Sequence, residues 1–231
     1  MTEPISAERL RTMYDRLVAT YGPRDWWPAQ SAFEVVIGAY LTQSTAWTSV
    51  ERSIANLHAR HLLHVDALRA LPEEELRELI RPSGYMIRKA AAIKSFIAFL
   101  DTYYDGSLEK LSDEAPEIAR PRLLALPGVG PETADAILLY ALGQPAMVVD
   151  EYLRRVVVRH GLIGSHAKYA EIQQLAVQAF AEDDVRTWKG HFNEFHALIV
   201  EVGKRHCRRA QRCEECPLAF DLLQDKNHND A

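Results

Sequence analysis

Leu126-Pro-Gly-Val-Gly130-Pro-Glu-Thr-Ala-Asp135 is the stretch that decides the fold. It lies between a short predicted helix at 121–125 and an apolar helix that begins beyond Pro131. Pro127 and the two glycines predict a tight turn, because glycine adopts positive φ at little cost. Exposed backbone N–H groups and the positive end of the following helix dipole would form a phosphate-binding site. A Gly-x-Gly turn alone would favour a helix–helix turn that binds no ligand.

The remaining segments also indicate helices. Ser31-Ala-Phe-Glu34 and Thr48-Ser-Val-Glu51 are capping boxes, so we expect helices to begin at Ser31 and Thr48. Apolar residues recur at helical spacing along most of the chain, and no alternating run predicts a strand. With 48% hydrophobic and 26% charged residues, the composition is that of a globular protein. The sequence therefore predicts an all-α fold.

Composition also bounds location and partners. No run approaches about 18 apolar residues, so no membrane span is expected. The first ten residues lack the pattern of a signal peptide, which favours a cytoplasmic protein. The net charge is −5, but nucleic acid meets only one face of a protein. Local basic clusters matter more, although solvated helix faces would explain them equally well. They comprise Arg154, Arg155 and Arg159, and then Lys204, Arg205, Arg208, Arg209 and Arg212.

The full hairpin string resembles the DNA-binding hairpin of helix–hairpin–helix proteins, and three further landmarks follow the order of one superfamily. These are Leu41-Thr-Gln43-Ser-Thr, the apolar run Met147-Val-Val-Asp150, and a cysteine cluster near the C-terminus. Together they resemble the endonuclease III superfamily of DNA glycosylases. The resemblance implies two helical lobes, at 23–134 and at 1–22 plus 135–231. It also implies a monomer acting on double-stranded DNA that contains a damaged base, without a membrane partner.

The resemblance assigns residues to DNA. Gln43 would enter the duplex, and Arg154 would contact a phosphate. The hairpin contacts would come from Leu126, Pro127, Gly128, Val129, Gly130 and Thr133.

Asp150 matches the catalytic aspartate of the family and would face the cleft between the lobes. A carboxylate near C1′ stabilises the cation-like sugar formed as the base leaves, and it can orient water. Asp150 also precedes a predicted helix, so it could simply cap that helix. Bifunctional members carry a lysine two residues after the second hairpin glycine, where this chain has Glu132. A carboxylate forms no Schiff base, so we expect a monofunctional enzyme.

Tryptophans near the first lobe predict the kind of base. Trp26-Trp27-Pro28 and the segment ending in Trp47 resemble the 3-methyladenine glycosylase branch. By that resemblance Trp26 and Trp47 would be the walls of the base pocket, with Trp27 and Pro28 supporting them. Core packing is the usual alternative for tryptophan.

Cys207, Cys213 and Cys216 have metal-ligand spacing and match the iron–sulfur loop of the family. The resemblance implies a [4Fe–4S] cluster with an incomplete cysteine set, because Leu222 stands where the fourth cysteine would be. Surrounding arginines are expected to lower the pKa values of the thiols. The fourth ligand could be solvent, Asp221, His228 or His206, and a loop with free thiols is the alternative.

Two other functions stay open. A bifunctional glycosylase/AP lyase for oxidised pyrimidines would need a substitute lysine, and a non-catalytic helix–hairpin–helix module would not depend on Asp150.

Overall fold

The computed structural model describes residues 3–24, 27–208 and 210–222, with side chains from residue 5 onward. The described part is helical, without a β-strand beyond an isolated bridge between Cys207 and Gln211. The α-helices are α1 (Glu3–Tyr21), α2 (Ala32–Leu41), α3 (Trp47–His58), α4 (Val65–Ala70), α5 (Glu73–Leu79), α6 (Met86–Tyr104), α7 (Leu108–Ser112), α8 (Pro116–Leu124), α9 (Pro131–Ala136), α10 (Glu151–Arg159), α11 (Tyr169–Gln178) and α12 (Trp188–Arg205). A π-helical turn, Ile137–Ala141, continues α9, and 3₁₀ turns occupy Arg81–Ser83 and Val185–Thr187. The prediction of an all-α fold is confirmed.

The chain divides into two compact units, Trp27–Ala146 and Met1–Trp26 with Met147–Ala231. The predicted first lobe, 23–134, ends within α9, whereas the compact unit continues to Ala146. The reason is that Ile137–Ala141 packs against α2 and belongs to the same core. The boundary therefore lies after the hairpin's second helix.

Unit 27–146 is built around α2. Nearly all of α2 is buried, because it packs against α3, α6 and the π-helical turn. A helix that is apolar all round is typical of the centre of a core. Ser31 caps α2 by accepting a hydrogen bond from the Glu34 N–H at 3.1 Å, as its capping box predicts.

The capping box predicted at Thr48 is wrong. The N-cap of α3 lies two residues earlier, at Ala46, which makes no side-chain hydrogen bond, and the helix begins at Trp47. Starting the helix at Trp47 fixes the indole at its first turn, where it contacts another aromatic ring.

The second unit joins α1 to α10, α11 and α12. Helix α1 packs on α11 and α12, and α10 packs on α12. Its core includes Met13, Phe180 and Phe195, all fully buried.

In the described part of the chain, no helix has both the length and the apolar character needed to cross a membrane.

Candidate functional site

The hairpin connects α8 to α9 and exposes its backbone. Gly128 has φ +77°, in the left-handed region that favours glycine. Gly130 does not share this conformation: with φ −94° and ψ 176° it is the extended N-cap of α9. Val129 is buried and anchors the loop, whereas Pro127 and both glycines are exposed. No side chain narrows the approach to Gly130, because a Cβ there would meet nothing within 4 Å.

An ion pair that the sequence did not reveal braces the two hairpin helices. Arg120 of α8 donates from Nε to Asp135 Oδ1 at 2.6 Å and from Nη2 to Oδ2 at 2.9 Å. Asp135 of α9 is fully buried. Bidentate pairs of this kind fix geometry as well as adding energy, so the brace sets the angle at which the turn is presented.

Gln43 lies against the hairpin. Its Nε2 donates to the Gly128 carbonyl at 2.9 Å and to Thr133 Oγ1 at 3.0 Å. The structure thus brings together residues that the sequence assigned separately to the duplex. Entry of the Gln43 amide into DNA would require these two hydrogen bonds to break.

Aromatic rings cluster in the same unit. The Trp27 and Tyr140 ring centroids lie 5.0 Å apart, and Trp27 meets Trp47 edge to face at 5.8 Å. Gly38 of α2 allows this approach, since a Cβ there would lie 3.3 Å from the Trp27 ring. All three rings are partly exposed. We call Trp27, Trp47 and Tyr140 the aromatic cluster.

The cluster changes the emphasis of the sequence prediction. Trp27, expected only to support the pocket, is the ring that contacts both others. Trp26 lies outside the described residues, and Pro28 is exposed. Tyr140 was missed because the sequence indicates only an apolar helix at this position. The π-helical turn that carries it, a feature frequent at functional sites, is seen in the structure.

Asp150 lies in the other unit, at the N-cap of α10. Its Oδ1 accepts a hydrogen bond from the Leu153 N–H at 2.7 Å, so the capping role is real. The apolar residues before Asp150 form an extended segment that hydrogen-bonds to α11. Tyr169 OH accepts from the Val149 N–H, and Gln173 donates to the Met147 carbonyl. Hydrogen bonds made just before and just after Asp150 in the chain therefore fix its position.

His196 of α12 is close to the second carboxylate oxygen. Its Nε2 lies 3.7 Å from Asp150 Oδ2, so this buried histidine is a neighbour of the carboxylate, although these two atoms are too far apart for a direct hydrogen bond. Helices α10 and α12 approach closely because Gly203 leaves room for Tyr152; a Cβ at Gly203 would lie 2.3 Å from Tyr152 Cδ1.

The arginines of α10 contact protein carbonyls. Arg154 Nη1 donates to the Ala167 carbonyl at 2.6 Å, and Arg155 Nη1 donates to the Cys207 carbonyl at 2.9 Å. Arg159 Nη1 donates to Cys207 Sγ at 3.1 Å and to the Arg208 carbonyl at 2.8 Å. Arg155 and Arg159 thus hold the cysteine loop.

The described residues do not fit an iron–sulfur cluster with four protein ligands. Among them, no three His, Cys, Asp or Glu side chains group as a metal site. Asp221 is buried in ion pairs with Arg9 and His160, so it is not available as a ligand. Burial raises the pKa of Cys216, contrary to the expected lowering by arginines. His228 lies outside the described residues.

Comparison with known proteins identifies the family. Residues 37–182 match the HhH-GPD superfamily of base excision DNA repair proteins. The protein of Methanocaldococcus jannaschii named "Putative DNA repair glycosylase MJ1434" is 41% identical over 91% of this chain and 94% of its own length. Endonuclease III of Bacillus subtilis is 28% identical over 80% of this chain and 78% of its own length.

A solved structure agrees with these sequence matches. The Helicobacter pylori 3-methyladenine DNA glycosylase, bound to 1,N6-ethenoadenine, is 27% identical, with a TM-score of 0.74 over 87% of this chain and 97% of that chain. The hairpin, the aspartate at a helix N-cap and the all-α units are thus found in a chain whose relatives repair DNA. This protein belongs to the HhH-GPD superfamily of base excision DNA repair proteins and is an endonuclease III-like DNA glycosylase.

Proposed function

We propose that the protein is a monofunctional DNA glycosylase that acts as a monomer and releases a flipped, alkylated purine such as 3-methyladenine. The aromatic cluster carries this proposal. An alkylated purine is cationic, and the faces of aromatic rings attract cations. Stacking on such rings contributes about 1–3 kcal/mol per base, which offsets the cost of flipping the base out of the duplex. The likeness to the H. pylori 3-methyladenine glycosylase supports the same substrate class.

Asp150 supplies the negative charge for the reaction. As the C1′–N bond breaks, the sugar becomes cation-like and a nearby carboxylate stabilises it. Because Oδ1 binds the N-terminus of α10, Oδ2 is the oxygen left to face the sugar and to accept a proton from the attacking water. The alkylated purine takes up the electrons of the broken bond and leaves neutral, so no general acid is required.

The residues at the hairpin argue against a lyase. Glu132 stands in the first turn of α9, where a carboxylate interacts favourably with the helix dipole but cannot form a Schiff base. Lys89 is the lysine of this unit with the chemistry that a lyase would need, because burial lowers its pKa to about 8. Lys89 is nevertheless only 4% exposed, and its Nζ donates to three protein oxygens, which keeps it from attacking a sugar.

The test is release of free alkylpurine from methylated duplex DNA. We expect release by the wild-type protein and a loss of about 10²-fold or more in rate for Asp150→Asn, which retains an oxygen for the helix cap. Trp27→Ala and Trp47→Ala should also lose activity, whereas Trp188→Ala is the matched control. Trp188 starts α12 in the other unit, where its indole donates to the Phe180 carbonyl, and it is not a member of the aromatic cluster.

The same assay separates the two alternatives. Borohydride should trap no covalent adduct, and an adduct formed on a duplex with an oxidised pyrimidine would instead establish a bifunctional lyase. Binding to lesion-bearing duplexes without release of any base, unchanged in Asp150→Asn, would establish a non-catalytic module.

A further inference from the structure

Lys89 is a buried lysine whose donors are all used. Its Nζ donates to the Leu41 carbonyl at 2.7 Å, to Thr45 Oγ1 at 2.7 Å and to the Ser83 carbonyl at 2.8 Å. An ammonium group has three donors, and here each has an acceptor. Hydrogen bonds from a charged donor are about twice as strong as neutral ones. Lys89 therefore joins three segments of the chain through fully paired donors. The mechanism of base excision proposed above gives it no role.

The three acceptors belong to three different segments. Leu41 ends α2, Thr45 closes the loop that carries Gln43, and Ser83 precedes the turn at Gly84 and Tyr85. The Thr45 hydroxyl also lies 2.7 Å from the Ser83 carbonyl, so the loop and the turn are tied directly as well. Lys89 holds both to the first turn of α6.

Both segments contain backbone that needs such support. Ser44 has φ +52°, and Tyr85 has φ +45° although it carries a large side chain. Left-handed conformations are strained for residues other than glycine and persist where surrounding contacts enforce them. Tyr85 is also one of the most exposed large side chains described, so the turn presents an aromatic ring to solvent.

The supported loop adjoins the DNA hairpin. Gln43, between the Leu41 and Thr45 contacts of Lys89, donates to the hairpin at Gly128 and Thr133. The Gln43 loop, the Tyr85 turn and the hairpin are thus linked by a continuous set of hydrogen bonds within one unit. We call these three segments the linked edge.

We propose that Lys89 is a positioning residue that holds the linked edge in the shape that grips a duplex at a missing or extruded base. This rests on the entry of Gln43 into the duplex, which the family resemblance implies and which would exchange its two hydrogen bonds to the hairpin for contacts with DNA, and on no particular lesion. Lys89 does not touch DNA. Its removal lets the loop and the turn move apart, which weakens binding where the DNA must be opened and leaves ordinary phosphate contacts in place.

Lys94 offers a matched control on the same helix. Its Nζ donates to the Leu68 and Leu71 carbonyls at the end of α4, so Lys94 is a partly buried lysine that, like Lys89, donates to backbone carbonyls. Its acceptors lie outside the linked edge. Lys94→Met should therefore reproduce the stability cost of losing a lysine without disturbing the Gln43 loop.

The experiment compares the dissociation constants for two duplexes, one with a tetrahydrofuran abasic analogue and one undamaged. Lys89→Met should lose about tenfold of the preference for the abasic duplex, as expected when one charge-assisted junction is removed. Binding to undamaged DNA and the preference of Lys94→Met should stay near wild type. Thr45→Val removes one acceptor with less risk to folding and should lose part of the preference.

A wild-type preference in Thr45→Val and in any folded Lys89→Met would overturn the proposal, as would an equal loss in Lys94→Met. The abasic analogue has no base to release, so these results are independent of whether alkylpurines are the substrate. If the wild-type protein releases no alkylpurine, the proposed function is rejected, but the proposed role of Lys89 is unaffected.

Discussion

Replacing Asp221 by asparagine is expected to destabilise the protein by about 3 kcal/mol, because it breaks a buried ion pair. Asp221 is 1% exposed. Arg9 donates to Oδ1 from Nε and to Oδ2 from Nη2, both at 2.8 Å, and His160 Nδ1 lies 2.8 Å from Oδ2. The carboxylate thus joins α1, the end of α10 and the last described turn of the chain.

The magnitude follows from what remains after the substitution. Removing one partner of a buried pair costs about 3–5 kcal/mol, because the other charge is left uncompensated. Asparagine keeps one oxygen for Arg9, which places the expected loss at the lower end. Asp184→Asn is the matched control: Asp184 pairs with Arg186 in the same unit, but on the surface, where ion pairs contribute little.

Urea denaturation at pH 7 and at acidic pH measures the effect. Burial opposes ionisation, but hydrogen bonds from His160 and Arg9 lower the pKa of Asp221 below its ordinary value. A lowered folded-state pKa gives stability that is present above the unfolded pKa of about 4 and is lost as pH falls through the folded value. The difference between wild type and Asp221→Asn should therefore shrink below about pH 4. A cost no larger than that of Asp184→Asn would refute the reasoning.

Three further predictions follow from single contacts. Burial lowers the pKa of Lys89 to about 8, so between pH 8 and the unfolded pKa the unfolded chain binds more protons than the folded one. In urea titrations, the free energy of unfolding of the wild type relative to Lys89→Met should therefore rise by about 1 kcal/mol between pH 7 and pH 9. A difference that does not change with pH would contradict this. Gly203→Ala should destabilise by about 2 kcal/mol through its clash with Tyr152, while Gly190→Ala on the same helix, with open space around it, should not. Protein purified without oxygen should contain less than about one iron per chain in a colorimetric assay, and a full cluster would show that the three cysteines come together with a fourth ligand from solvent or from the protein.

Local signals explain what the sequence could predict. The hairpin depends on Pro127, Gly128 and Pro131, whose backbone preferences act within a few residues, and it forms where expected. The Ser31 cap is likewise a contact between near neighbours. The Thr48 cap was wrong, since α3 has Ala46 as its N-cap and carries Trp47, in contact with Trp27, in its first turn.

Long-range contacts explain what the sequence could not predict. Arg120 and Asp135 read as ordinary helix residues until the hairpin folds them together. Lys89 meets an acceptor 48 positions away, and Asp221 meets Arg9 across 212 positions. Asp221 could be considered as a metal ligand from spacing alone, because nothing in its neighbourhood of the sequence reveals its cationic partners.

The catalytic role proposed for Asp150 is compatible with its observed role as a helix cap. A carboxylate has two oxygens, and the cap uses only Oδ1, whose bond to the Leu153 N–H fixes the plane of the group. Oδ2 is then aimed by the same contact and has His196 beside it. A helix N-terminus also favours negative charge, which is the charge that a cation-like sugar requires. Asparagine can cap but carries no charge, so it is the substitution that separates the observed capping role from the proposed catalytic role.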